Sequence, residues 1–238
     1  YPLYDSDIML SIFIDRSGCI WICTGDGVYC CRELKDLYTE HVKIEPNTNR
    51  EWSNYVRHIS NIGNDKLAGS TRANRTYIYD TRTQQRTLER QTDACVYDYA
   101  IDPQGKKWIS TKGDGIYIDN VRYSKYKKEH YAPGAAFYKT IFDKQGRAWI
   151  ATWGEGLLIT PQTMGQQPRK FEQFLNADGK EAQIHDLLLD RKGRLWVCSN
   201  NGILMVNTAE KKITAQKFLR FSDENGKLPV SEINCGIE

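Results

Sequence analysis

The sequence predicts an all-β fold, a β-propeller built from four-stranded blades. Three observations predict it: a motif that recurs every 40–47 residues, short apolar runs punctuated by glycine, and an aromatic-rich composition with 14 Tyr, 7 Phe and 6 Trp. A period of this length made of short strands is the signature of blades, and aromatic, turn-rich chains favour strands. At 238 residues the chain is long enough to bury a sizeable core.

The motif stands out in four segments: DRSGCIWICTGDG from Asp15, DPQGKKWISTKGDG from Asp102, DKQGRAWIATWGEG from Asp143 and DRKGRLWVCSNNG from Asp190. Each runs Asp-x-x-Gly-x-x-Trp-apolar-x-Thr/Ser and reaches a further Gly after two or three intervening residues. A degenerate fifth copy begins at Gly63, with Ala68 where the others have Trp. Before each motif Asp lies a short apolar run (SIFI, DYAI, KTIF, DLLL), whose adjacent apolar residues suit a first strand buried on both faces. The Asp then opens a turn by accepting backbone N–H bonds, and Gly supplies a positive φ. The Trp strand follows, its ring sized to fill the space between adjoining sheets. Thr or Ser ends that strand, and Gly27, Gly115, Gly156 or Gly202 begins a third (VYCC, IYI, LLIT, ILMV). A more variable fourth strand completes each unit.

These motifs place blades around 8–47, 55–90, 95–130, 137–175 and 184–222, and PVSEINCGIE at 229–238 reads as the start of a further blade. The expectation is a propeller segment cut from a larger array, since uncovered blade faces and unpaired edges are liabilities.

Composition excludes several classes. Lys and Arg number 33 against 30 Asp and Glu, which argues against nucleic acid as a partner. No apolar run reaches 18 residues, and the opening YPLYDSD shows no signal peptide. Seven cysteines at uneven spacing form neither a disulfide framework nor a zinc motif. Cys23 and Cys198 share one column of the repeat, so they are expected as small buried strand residues. No metal or cofactor motif is present, and neither is a Gly-x-Ser-x-Gly elbow, a His-Glu-x-x-His pair or a phosphate-cradling loop.

The four motif copies closely resemble the two-component regulator propeller repeat, which runs Asp-x-x-Gly-x-Leu/Ile-Trp-Ile-Gly-Thr and then Gly-Leu. The stretches NGKLPVSEINCGIE and SNYVRHI are similar to that family's entry into a new blade, with Lys227 intervening in the first. The resemblance implies the periplasmic sensor region of a Bacteroidetes hybrid two-component system histidine kinase/response regulator. It further implies an oligosaccharide ligand, neighbouring propeller and β-domains of the same receptor as partners, a homodimer, and kinase activity only outside this chain. Two other readings remain: a structural propeller whose receptor binds its ligand elsewhere, and a glycan hydrolase or lyase using loop carboxylates.

Alternating strands put the second-to-third loops and the links entering each first strand on one rim, opposite the Asp-x-x-Gly turns. Variable loops on a repeated scaffold are where binding chemistry gathers. The loops offer Asp26, Arg72, Asn74, Arg75, Lys112, Asp114, Trp153, Glu155, Asn200 and Asn201. The entry links offer Trp52, Asn54, Tyr55, the Pro133-Gly134 turn, Gln183 and His185. Trp153 lies outside the repeated Trp column in a Gly-flanked loop, where an indole beside polar groups can stack on a sugar ring. A basic, Tyr-rich run from Arg122 to Tyr131 can meet acidic glycans or serve as a solvated outer strand.

Overall fold

The computed structural model describes residues 9–15, 18–31, 39–50, 52–119, 121–123, 136–160, 169–170, 182–229 and 233. These residues form five four-stranded sheets, each with its strands side by side in chain order. The first sheet holds β1 (Met9–Ile14), β2 (Ile20–Thr24), β3 (Val28–Cys31) and β4 (Thr39–Val42). The second holds β5 (Val56–Gly63), β6 (Lys66–Thr71), β7 (Arg75–Asp80) and β8 (Arg86–Gln91). The third is β9 (Val96–Ile101), β10 (Lys107–Thr111), β11 (Ile116–Ile118) and β12 (Val121–Tyr123). The fourth is β13 (Ala136–Phe142), β14 (Ala148–Trp153), β15 (Leu157–Ile159) and β16 (Arg169–Lys170). The fifth is β17 (Ile184–Leu189), β18 (Arg194–Ser199), β19 (Gly202–Asn207) and β20 (Leu219–Phe221), with one short 3-10 turn at Ala215–Lys217. The fold is all-β, with the four-stranded blades that the repeat predicts.

The chain divides into two compact units, residues 1–99 and 100–238. In unit 1 a single core joins the first two sheets: Trp21, Cys23, Val28 and Cys30 meet Val56, Ile59, Leu67 and Tyr79. In unit 2, Trp108, Ile116 and Ile118 pack on Phe137, Ile150 and Leu158. A second core there joins Trp149, Leu157 and Ile159 to Ile184, Leu187, Val197 and Leu204. Each of these Trp rings therefore lies between its own sheet and the next, as its size predicts. Trp21 meets Tyr79 edge-on at 6.1 Å, and Trp108 meets Phe142 at 5.3 Å. Such pairs add about 0.5–1.5 kcal/mol beyond the area that they bury.

The Asp of each motif fixes both the turn and the ring. Asp102 Oδ1 accepts from the backbone N–H of Gln104 and Lys106, while Oδ2 accepts from Trp108 Nε1 at 3.0 Å. Asp15 takes Trp21 Nε1 in the same way, Asp143 takes Trp149, and Asp190 takes Trp196. The degenerate blade loses both partners together, with Ile62 at the Asp position and Ala68 at the Trp position. Its turn changes accordingly. Asn64 and Asp65, at φ 52° and 57°, form a two-residue hairpin of the I′ kind, which needs no Asp clamp.

One expectation is corrected. The first strand β1 is not buried on both faces: Phe13 packs on the core, while Ile12 and Ile14 point the other way and are exposed. Alternation, rather than the apolar run as a whole, sets its burial. In β9 Asp98 and Tyr99 are buried, but Ala100 is only half-buried and Ile101 is exposed, so this run departs from the expectation as well.

Candidate functional site

The loops between second and third strands are held by the Thr/Ser column. Thr152 Oγ1 donates to the carbonyl of Gly156 at 2.6 Å and accepts the backbone N–H of Glu155. Thr111 does the same with Gly115 and Asp114, and Ser199 with Gly202 and Asn201. Thr24 Oγ1 lies 2.7 Å from Asp26 Oδ1 and 3.1 Å from the Gly27 carbonyl. A hydroxyl that closes its own loop on both sides makes each loop a fixed platform. At Gly202, a Cβ would stand 2.2 Å from the Phe221 carbonyl, so only glycine lets the fourth strand come this close.

On these platforms the sequence-nominated residues divide. Lys112 is exposed. Asp114 bonds the Tyr117 hydroxyl. Glu155 is buried beneath the loop surface, its backbone N–H donating to Thr152. Asn200 pairs with the Gln183 backbone in both directions, at 3.0 and 3.1 Å, and Asn201 Oδ1 accepts from Arg220. These two amides order the loop.

In unit 1, Trp52, Tyr55 and Arg72 come together. The Arg72 guanidinium lies 4.1 Å over the Trp52 ring and 5.4 Å over Tyr55, and the two rings meet edge-on at 5.6 Å. Trp52 is 41% exposed and sits at φ 68°, a left-handed conformation that costs a non-glycine residue roughly 1–2 kcal/mol. Asn74 caps the next link by donating to the Asp93 carbonyl. Asn54 and Arg75 are drawn elsewhere. The Asn54 amide holds both backbone groups of Glu45, at 2.8 and 3.2 Å, and Arg75 Nη1 binds Glu45 Oε2 at 2.7 Å. Both therefore position Glu45, a buried carboxylate that the sequence reading did not single out.

In unit 2, Trp153 is 39% exposed at the end of β14. Tyr138 packs on it at 5.5 Å and His185 meets it edge-on at 5.9 Å. Both neighbours come from β-bulges. The pairing of β13 with β14 shifts between Phe137 and Lys139, and that of β17 with β18 shifts between Ile184 and Asp186. The extra residues, Tyr138 and His185, are re-aimed toward the Trp153 ring. The same shift in β5 isolates Arg57, whose guanidinium lies 4.7 Å over the Tyr97 ring.

The residue after each bulge is charged or polar, and neighbours pair. His58 Nε2 lies 3.1 Å from Asp98 Oδ1 in unit 1, and Lys139 Nζ binds Asp186 Oδ1 in unit 2. Ser11, His58, Asp98, Lys139 and Asp186 all stand four residues before the turn position. Sequence reasoning passed over this column because its residue types differ. Its signal is the alternation of basic and acidic residue types from His58 onward.

The Pro133-Gly134 turn and most of the basic run, Lys125, Lys127, Lys128 and His130 included, lie outside the described residues, as does most of the 229–238 stretch. Arg122 and Tyr123 fall in β12, the outer strand of its sheet. Among the described residues, no helix is long and apolar enough to cross a membrane.

Comparison with known proteins agrees with this architecture. The chain is similar to the extracellular domain of the hybrid two-component system BT3049 from B. thetaiotaomicron, with 20% identity and a TM-score of 0.71 over 98% of this chain and 31% of that one. It is similar to PorZ, a surface component of the type-IX secretion system of Porphyromonas gingivalis, with 17% identity and a TM-score of 0.65 over 97% of this chain and 36% of that one. It also matches virginiamycin B lyase from Staphylococcus aureus, with 13% identity and a TM-score of 0.65 over 92% of this chain and 72% of that one. The chain thus spans about a third of the first two proteins. No curated protein matches it in sequence. The family model for the two-component regulator propeller matches residues 178–201, the stretch containing β17, the Asp190 turn and the Trp196 strand. Residues 178–201 carry a two-component regulator propeller repeat.

Proposed function

We propose that this chain is the ligand-sensing propeller segment of a periplasmic receptor in a hybrid two-component system. It responds to an oligosaccharide and signals to a kinase that lies outside these residues. The observation that carries this reading is the Trp153 platform, an exposed indole on a clamped loop flanked by two bulge residues. Such an indole, with Tyr138 and His185 at its sides, offers a stacking face and hydrogen-bonding groups to a sugar ring. The exposure of the ring favours sensing over a purely structural propeller.

A hydrolytic or lyase role has less support. Asp186 is bound by Lys139, Asp114 holds Tyr117, and Glu155 is buried, so these rim carboxylates serve the scaffold. The Lys139 and Asp186 pair links two first strands directly behind the platform. A ligand that moves Tyr138 or His185 therefore acts on the joint between two blades.

Calorimetric titration with neutral and acidic oligosaccharides tests the proposal, with Trp153→Ala alongside. Loss of the stacking ring is expected to weaken binding by roughly tenfold or more, as removal of about 1.4 kcal/mol or more does. Affinity unchanged in the variant removes the platform from the sensing site.

A further inference from the structure

We propose that the cluster of Trp52, Tyr55 and Arg72 in unit 1 is a second recognition site, one that takes the carboxylate or sulfate group of an acidic saccharide. It rests on the reading above for its ligand class alone. None of its residues belongs to the Trp153 platform, so either site can fail without the other.

Arg72 is the group that carries it. Its side chain is exposed, and its guanidinium sits in the corner between two rings set edge-on, 4.1 Å over Trp52 and 5.4 Å over Tyr55. Among the described residues, no acceptor bonds that guanidinium and no carboxylate pairs with it. Arg75, at the start of β7, is instead spent on Glu45. Ring stacking holds a guanidinium by its face and leaves its N–H edge for an acceptor.

The corner is set before a ligand arrives. The Arg72 backbone N–H donates to the Tyr55 carbonyl at 2.9 Å, and the Tyr55 N–H donates to the Trp52 carbonyl at 3.2 Å. Between the two rings in sequence, Asn54 is clipped to the Glu45 backbone. This bracing keeps Trp52 at φ 68°, and strain of that kind in a non-glycine residue gathers where a side chain is presented for use. The result is an indole that is 41% exposed beside an unspent cation. Glu45, held next to this turn, is neutralised by Arg75 and does not offset the Arg72 charge.

The ligand class follows from these two groups. A guanidinium fork matches the paired oxygens of a carboxylate or sulfate, and an exposed indole offers a face to a sugar ring. A neutral sugar would use the indole and leave the fork idle. A bare anion would use the fork and leave the indole idle. A uronate or a sulfated sugar uses both.

The test is an NMR titration of the 238-residue chain with digalacturonate, galactose 6-sulfate, cellobiose and sodium sulfate, following the indole N–H signals of Trp52 and Trp153. The expected result is a saturable shift of the Trp52 signal with at least one acidic sugar, at an affinity roughly tenfold or more above that for cellobiose or sulfate. Arg72→Gln should weaken that binding roughly tenfold or more, as loss of a charge-assisted fork does. Arg72→Lys keeps the charge and loses the fork, so it should weaken binding too, and it serves if Arg72→Gln does not fold. Trp153→Ala should leave the Trp52 response unchanged. Shifts at Trp153 alone would overturn this site and leave the platform standing. Equal affinity for cellobiose or for sulfate would overturn it as well. So would a Trp52 signal unmoved by both acidic sugars, or acidic-sugar binding that survives both Arg72 variants.

Discussion

Each motif Asp carries two duties, and its two oxygens divide them. Asp190 Oδ1 takes the Arg194 backbone N–H at 2.8 Å, while Oδ2 takes the Arg194 side chain and Trp196 Nε1. Burial pushes its pKa up, but the Trp196 indole and the Arg194 backbone and guanidinium outweigh that, and the net value falls to about 2. A depressed carboxylate pKa stabilises the fold above the ordinary value near 4 and loses that contribution as pH falls through the folded value. Asp190→Asn is therefore expected to cost about 1–3 kcal/mol at neutral pH, because an amide cannot satisfy all three donors. The gap from the parent should close between about pH 4 and pH 2, as read by urea unfolding across that range. At this scale much was legible. The turn-building Asp, the buried Trp, and the buried Cys23 and Cys198 were all expected from their columns. Burial raises the Cys23 thiol to about 12 against a smaller lowering by Ser11, in keeping with an inert packing residue. The Asp–Trp bond was not legible, because two residues six apart meet only after the hairpin has folded.

The elements repeat the same logic with different residues. Four first strands, β1, β5, β13 and β17, carry a bulge and then a polar residue before the turn. The bulge is invisible in the sequence because an extra residue leaves no fixed side-chain type. Leu10, Arg57, Tyr138 and His185, each five residues before the turn position, share no chemistry. The charge column beside it becomes readable only when the copies are aligned on their turns. Its role can be measured at Lys139 and Asp186, whose side chains are partly exposed. Removing one charge, as in Asp186→Leu or Lys139→Met, is expected to cost about 1–2 kcal/mol, while combining Lys139→Met with Asp186→Leu should recover most of that loss. A double-mutant cycle by chemical denaturation checks it, and additive single effects would mean the two charges do not couple. The outermost strands were the least legible elements. They pack on one neighbour, and their sequences, such as RTLERQ in β8, carry only a weak apolar pattern.

For the molecule, the all-β class and the four-stranded blades follow from the period, because five copies of one supersecondary unit leave few architectures open. The functional surface follows less directly. Trp153 was legible as an indole outside its column, and the structure exposes it between Tyr138 and His185. Asn54 and Arg75 were nominated as ligand contacts, yet they hold Glu45. In the sequence Arg75 stands 30 residues from that carboxylate, and nothing local marks the pairing. The similar extracellular domain from B. thetaiotaomicron is about three times as long as the portion matched here.

The most direct measurement is hydrogen–deuterium exchange of the chain with and without a bound oligosaccharide. Slowed exchange is expected at Tyr138–Lys139, at the loop following Trp153 and at His185–Asp186, where the platform meets the joined first strands. Slowed exchange confined to the Asp-x-x-Gly turns, with the platform unchanged, would contradict it.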